Sequence, residues 1–143
     1  MNILRMTILG FVSAGLLSLP AMAQITTPLT SDIPFPFTVG DTQLPAGTYT
    51  IRVVDDSDLN SLLIASMDGK TSVRFLARET DLSQPATRSE LEFQKYGDRE
   101  FLSAIFEEGT MIGSAPNKGH VELKLIKSHK VKRVVHRHPT RKK

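Results

Sequence analysis

One acidic segment has the residue types and spacing of a calcium site. Asp56, Asp58 and Asn60 alternate as the first ligands of an EF-hand loop do. The rest of that loop is missing, because Ser61 occupies the position that requires glycine and Met67 the position of the bidentate glutamate. The favoured interpretation is a solvated hairpin turn. Asp56, Asp58 and Asn60 stay weak candidates for a calcium site outside the EF-hand class.

Histidine is the second residue type that could bind a metal, and all four histidines lie near the C-terminus. His136 and His138 share one face if this part of the chain is extended, which would permit a loose zinc or copper contact. The positive charges of Arg133, Arg137 and Arg141 oppose the binding of another cation. We therefore expect partly protonated histidines that add to a basic surface, and no physiological metal site.

The residues of a catalytic nucleophile and its base are not found together. The chain has no cysteine, which removes thiol nucleophiles, disulfides, iron–sulfur ligands and thiolate zinc sites. Its serines do not occur in a Gly-x-Ser-x-Gly turn, and no histidine precedes residue 120. Glu107 and Glu108 are adjacent, so they point to opposite faces of a regular strand and do not converge as an acid and a base.

The distribution of charge is the strongest indication of function. Residues 24–122 contain 15 acidic and 8 basic side chains, a net charge of −7, whereas residues 123–143 contain 9 basic and no acidic side chains. Basic blocks of this kind bind anionic polymers by an electrostatic attraction that is sensitive to salt. The candidate polyanion-binding residues are Lys124, Lys127, Lys130, Lys132, Arg133, Arg137, Arg141, Lys142 and Lys143.

Three interpretations of this basic segment remain open. In the first, it binds an external polyanion such as lipopolysaccharide, teichoic acid, acidic exopolysaccharide or extracellular nucleic acid. In the second, Val121–Leu125 forms a seventh strand, and only the residues after Ile126 form a solvated, largely disordered extension. In the third, the tail folds onto an acidic face around Glu90 and Glu92. Sequence-specific recognition of nucleic acid is not expected, because helix-turn-helix, zinc-finger and aromatic RNA-binding motifs are missing.

The elements that must position these residues are predicted to be β-strands. Gly47–Val53 and Arg88–Tyr96 alternate between polar and apolar residues, as strands with one buried face do. Leu62–Met67 and Phe101–Phe106 are apolar on both faces, which suits interior strands. Val73, Phe75 and Ala77 would point inward while Arg74 and Arg78 point outward. This alternation predicts a further strand.

Turns and prolines set the limits of these strands. Asp68-Gly69 and Gly97-Asp98 are hairpin signals, because glycine accepts the positive φ that such turns need. Near the start of the domain, prolines at positions 34 and 36 remove two backbone donors from the segment Ile33–Val39. This loss predicts an edge strand.

The first 23 residues are predicted to be a signal peptide. A short basic start up to Arg5 precedes the mostly apolar stretch Met6–Pro20, and small residues at Ala21 and Ala23 suit signal peptidase. The apolar stretch is shorter than the ~20 residues that a membrane-spanning helix needs. Cleavage after Ala23 would leave a secreted or periplasmic protein without a transmembrane span.

A resemblance to a known family rests on four strings. They are IPFPFTVG at residues 33–40, LPAGTYTI at 44–51, DGK at 68–70 and LEFQKYGDREFL at 91–102. Through these strings the chain resembles a family of short secreted proteins found in acidobacterial genomes. The resemblance covers about residues 33–106. The resemblance implies a small exported all-β domain and brings no catalytic residue, cofactor or ligand. The chain departs from the family pattern after about Gly113, where a short charged helical end would be expected and a long basic segment is present.

Together these patterns predict an all-β domain, an antiparallel meander of six or seven strands that is closed as a barrel or folded as a sandwich. Residues 1–23 would be the signal peptide, 24–126 the β-domain and 127–143 a flexible basic tail. We expect a non-enzymatic binding or structural module of the cell envelope or extracellular space, without a cofactor, whose tail contacts an anionic polymer or polysaccharide. The alternative is a small secreted hydrolase with its site inside a β-barrel, for which the sequence assigns no residues.

Overall fold

The computed structural model describes residues 25, 27–55, 57–128 and 133–142. The predicted signal peptide lies outside these residues, as do residues 129–132 and 143 of the basic tail. Asp56 of the candidate calcium site also lies outside them. The fold is therefore built from the strands and the helix of the described ranges.

Strands make up most of the described chain, which confirms the all-β class, and one short helix accompanies them there. The helix, α1, spans His120–Ser128. The strands are β1 (Leu29–Ile33), β2 (Phe37–Val39), β3 (Thr42–Leu44), β4 (Gly47–Asp55), β5 (Asp58–Ser66), β6 (Ser72–Asp81), β7 (Glu90–Tyr96), β8 (Arg99–Phe106), β9 (Ile112–Pro116), β10 (Arg133–Pro139) and β11 (Arg141–Lys142).

The strands form one mixed sheet, in which the order of pairing is β10-β7-β8-β9-β6-β5-β4-β1-β11. Strand β6 links two groups of strands, because its first half pairs with β5 and its second half with β9. Off this path, β2 pairs with β3 and lies parallel to β8. The other pairings of the described strands are antiparallel.

The sheet is not closed, so the predicted barrel is wrong for the described residues. The two ends of the sheet, β10 and β11, are consecutive in the chain and are separated by Thr140. Strand β10 pairs with β7, and the short β11 pairs with β1. A purely antiparallel meander is also wrong, because the connection from β1 to β2 brings β2 alongside β8 in the same direction.

The predicted strands between residues 47 and 106 are confirmed as β4 to β8. The two predicted hairpin turns are confirmed as well, and Gly69 and Gly97 have φ values of 72° and 67° there. The predicted edge strand Ile33–Val39 is divided instead, because Pro34 and Pro36 cannot donate to a ladder. Its second part, β2, has neighbours on both sides and is not an edge.

The segment Val121–Leu125, which one interpretation assigned to a strand, lies in α1. The carboxylate of Asp41, in the turn between β2 and β3, accepts the backbone N–H of His120 at 2.6 Å. This contact satisfies one of the donors that have no partner within a helix. Glu122 in the first turn and Lys127 in the last turn have the signs that the helix dipole favours. Alternating apolar residues in so short a segment do not distinguish a strand from a helix.

Aromatic side chains lie at the centre of the core. Phe37 contacts Tyr49 and Phe93 edge to face, with ring centroids 5.2 and 5.6 Å apart. The Tyr49 hydroxyl donates to the Pro45 carbonyl at 2.7 Å, so its polar group is satisfied. Burial of one such side chain stabilises the fold by roughly 1.5–3 kcal/mol. The buried aliphatic residues around these rings are Ile25, Leu29, Ile33, Val39, Leu44, Ile51, Leu62, Ile64, Leu91, Leu102 and Ile105.

We expect Gly119→Ala to lower the free energy of unfolding by about 1–3 kcal/mol. A Cβ at this position would overlap the carbonyl of Gly40 and the carboxylate of Asp41, so the turn that caps α1 would have to move. Gly47→Ala is the matched control, because its Cβ would lie 3.5 Å from the Tyr49 ring, an ordinary contact distance. Urea unfolding measures both variants, and an equally small effect in the two would contradict the close approach.

Candidate anion-binding surface

The basic segment of residues 123–143 is divided between the helix and two strands. Its described members are Lys124 and Lys127 on α1, Arg133 and Arg137 on β10, and Arg141 and Lys142 on β11. The side chain of Arg133 and the residues Lys130, Lys132 and Lys143 lie outside the described part of the chain. The predicted surface is thus distributed over separate elements of the fold.

Arg137 binds two carboxylates of the neighbouring strand β7. Its Nη1 lies 3.2 Å from Oε1 of Glu90, and its Nε lies 3.2 Å from Oε2 of Glu92. The guanidinium also lies over the Phe106 ring, 5.8 Å from the centroid. The Glu90 side chain is only 8% exposed and has a second partner in Arg88 at 3.2 Å. These contacts agree with the third interpretation, in which the tail folds onto the acidic face, and they direct Arg137 to the sheet.

Arg141 pairs with Asp32 at the other end of the sheet. The distance from its Nη2 to Oδ2 of Asp32 is 3.1 Å, and both side chains are more than half exposed. The same carboxylate accepts a hydrogen bond from the Thr48 hydroxyl at 2.6 Å. Solvent screens an exposed pair of this kind, so it contributes little to stability.

The two histidines of β10 lie on one face, as their spacing predicts, and both contact Phe35. The rings of His136 and Phe35 are stacked with centroids 5.4 Å apart, and His138 meets the same ring edge to face at 6.2 Å. His136 Nε2–H donates to Oε2 of Glu100 at 2.8 Å. His138 Nε2–H donates to the backbone carbonyl of Asp32. These contacts hold β10 against the start of the domain.

Glu100 is a buried carboxylate beside a polar depression. Its other oxygen, Oε1, lies 3.4 Å from Nζ of Lys95, so both oxygens of the carboxylate have a partner. The depression has a volume of about 230 Å³. It is lined by Pro36, Thr38, Gln43, Asp98, Arg99 and Glu100.

Buried Glu122 holds α1 in place from its inner side. Lys118 Nζ lies 2.5 Å from Oε1 of Glu122. The Tyr96 hydroxyl lies 3.5 Å from the same oxygen and donates to Oε1 of Gln94 at 2.7 Å. Together with the Asp41 cap, this arrangement fixes the start of the helix. The sequence does not predict the Asp41 cap, because Asp41 and His120 are 79 residues apart in the chain.

The outer side of α1 combines lysines with apolar side chains. Lys124 and Lys127 are exposed, and so are Val121, Leu123 and Ile126, with fractional exposures of 38%, 41% and 39%. A depression of about 410 Å³ lies on this side of the helix. It is lined by His120, Val121, Leu123, Lys124 and Lys127. Two cations of the predicted set therefore face solvent next to an apolar surface.

The acidic turn shows hydrogen bonds of an ordinary hairpin in its described part. Asp58 accepts the backbone N–H of Asn60 at 3.3 Å. Hydrogen bonds from Ser57, with a smaller electrostatic contribution from Arg74, lower the pKa of Asp55. Among the described residues, no three histidine or acidic side chains are close enough to hold a metal ion. Because Asp56 lies outside those residues, the weak calcium site stays a prediction.

We expect Arg137→Ala to lower the free energy of unfolding by about 1–2 kcal/mol more than Arg141→Ala does. The first change removes a cation from the buried Glu90, whereas the second removes an exposed pair. Both variants lose one positive charge from the same segment, so each serves as the other's control. Urea unfolding measures the two values, and equal losses would contradict the structural role of Arg137.

We also expect the contribution of Asp41 to stability to depend on pH. Hydrogen bonds from the side chain and backbone of His120 hold the pKa of Asp41 below its ordinary value of 3.8. A carboxyl with a depressed pKa stabilises the fold above its unfolded pKa, and it loses this contribution as the pH falls through the folded pKa. The difference in unfolding free energy between wild type and Asp41→Asn should therefore shrink between about pH 5 and pH 2. Asp98→Asn, in an exposed turn, is the control, and a difference that stays constant with pH would contradict the cap.

In the part of the chain that the structure describes, no helix has the length and apolar character needed to cross a membrane. Comparison with protein-family models, with curated proteins and with solved structures finds no match to this chain.

Proposed function

We propose that the protein is an exported, non-enzymatic binding or structural module of the cell envelope or extracellular space, which contacts anionic polymers through basic residues of its C-terminal segment. Export is supported by the signal-peptide pattern that ends at Ala23. The proposed relationship to the secreted acidobacterial family, carried by the four strings in residues 33–102, is consistent with export. A two-layer sandwich is the proposed finer arrangement of the fold, because β6 pairs with a different neighbour in each half.

The binding proposal depends on two exposed lysines on the outer side of α1. Lys124 and Lys127 are three residues apart on the helix, so they lie on the same side of it. A linear polyanion can contact both ammonium groups at once and release bound counterions. The apolar Val121 and Leu123 line the same depression as the two lysines.

The arginines of β10 and β11 have a different part in this proposal. Arg137 and Arg141 are already paired with carboxylates of β7 and β1. Contact with an external anion would have to replace those partners, so we assign these two residues to the structure of the sheet. We assign binding to Lys124 and Lys127 because their side chains are exposed on one side of α1.

The enzymatic alternative is favoured by one observation, the buried Glu100 beside His136. A carboxylate that orients an imidazole is part of many hydrolytic sites, and the pair borders a polar depression. We place this alternative second, because Lys95 and His136 occupy both oxygens of Glu100 and the His136 ring is stacked on Phe35.

We expect the double variant Lys124→Gln, Lys127→Gln to bind heparin about three- to tenfold more weakly than wild type at low salt. Each substitution removes one charge from the exposed side of α1 while the length of the side chain is nearly kept. The control is Lys70→Gln, Arg99→Gln, which removes two exposed charges outside α1, one between β5 and β6 and one at the start of β8. Titration by fluorescence polarisation measures the Kd. A folded α1 variant with unchanged affinity would refute the assignment of the site to α1.

A further inference from the structure

The outer face of strands β4, β5 and β6 carries a row of arginines. Arg52 on β4 lies opposite Leu63 on β5, and Leu63 lies opposite Arg74 on β6. Residues directly opposed in antiparallel strands extend to the same face of a sheet. The two arginines therefore flank Leu63 on one face, two strand spacings or about 10 Å apart at their backbones.

A third arginine extends this row along β6. Val73, Phe75 and Ala77 pack against the core, so the residues between and after them lie on the opposite face. Arg74 and Arg78 are four positions apart on that face, which separates their backbones by up to about 13 Å. Both arginines are exposed, and Leu76 between them has a fractional exposure of 62%.

The side chains of these three arginines are exposed, and the charge of Arg74 is partly balanced by Asp55, whose pKa it helps to lower. Within the described residues, none of Arg52, Arg74 and Arg78 lies within 4.0 Å of a carboxylate. Arg74 donates from Nε to the hydroxyl of buried Ser61 at 2.8 Å, which fixes the direction of its guanidinium. Arg52 donates from Nη1 to the carbonyl of Val53 at 3.3 Å. Both residues are exposed.

We propose that Arg52, Arg74 and Arg78 form a second binding surface, specific for a linear acidic polysaccharide. This inference deepens the proposed function and rests on it, because it names the polymer class and adds a contact on the sheet. A guanidinium donates two parallel hydrogen bonds to a carboxylate or sulfate group. The backbones of neighbouring arginines are about 10–13 Å apart, so each side chain can contact a different anionic group of one polymer.

The neighbours of the arginines favour a polysaccharide over a nucleic acid. Binding of single-stranded nucleic acid depends on aromatic side chains on which the bases stack. The side chains between the arginines on this face are aliphatic, namely Leu63 and Leu76, while Phe75 packs against the core. An acidic polysaccharide can instead be bound through its carboxylate groups, to which arginine donates paired hydrogen bonds.

The test compares two variants that each lose three positive charges. We expect Arg52→Gln, Arg74→Gln, Arg78→Gln to raise the Kd for alginate, a polymer with carboxylate groups alone, by at least about tenfold. The slope of log Kd against log salt should fall by about two to three, since three anionic contacts are lost. Lys70→Gln, Arg88→Gln, Arg99→Gln is the control, because these three exposed cations lie outside both proposed surfaces and Glu90 keeps its pairing with Arg137, and we expect a change below about twofold. Heparin is the second probe, for sulfate groups.

Two further variants keep the test decisive. If loss of the Arg74–Ser61 hydrogen bond unfolds the triple variant, Arg52→Gln, Arg78→Gln should still raise the Kd about threefold or more. Arg→Lys at all three positions keeps the charge, and it should weaken alginate binding because lysine cannot make the paired hydrogen bonds.

Several results would overturn the inference. One is a folded arginine variant that binds alginate as wild type does. Another is equal or tighter binding to single-stranded DNA or to anionic lipid vesicles, with the same dependence on the arginines. If the α1 lysine variant loses affinity while the arginine variant keeps it, the proposed function stands and the second surface is wrong. If both variants bind as wild type, both proposals fail.

Discussion

Strand β6 holds the two groups of strands together, because each half of it pairs with a different neighbour. Its side chains alternate between the core and the outer face from Val73 to Arg78, across the point where the neighbour changes. A shift of the register by one residue would expose Phe75 to water and bury Arg74 without an anionic partner. The core on one face and the arginines on the other therefore depend on the same alternation.

Basic residues of the C-terminal segment form ion pairs with acidic residues of the rest of the domain, and these pairs stabilise the fold. Glu90 and Glu100 are more than nine-tenths buried, and a buried carboxylate without a partner would cost several kcal/mol. Arg137 and His136 of β10 provide partners for these two residues from the C-terminal segment. The net charge of that segment consequently overstates the charge that a ligand would meet.

The sequence predicts the middle of this fold well and its ends poorly. Strands β4 to β8 and the glycine turns between them depend on alternation and on positive φ, which are local properties. The open sheet, the parallel neighbour of β2 and the cap of α1 depend on contacts between distant residues, such as Asp41 with His120. The same limit applies to the site. Charge density alone makes Lys124 and Lys127 candidates, whereas the register across β4, β5 and β6 is needed to place Arg52 and Arg74 on either side of Leu63.

Strands β10 and β11 pair with strands that come much earlier in the chain. Arg141 contacts Asp32 across 109 residues, so this pairing closes a long loop. Without this segment β7 and β1 would each present a row of unpaired backbone groups to which another chain could add. The C-terminal strands therefore cover two edges of the sheet that would otherwise invite strand addition by a second chain.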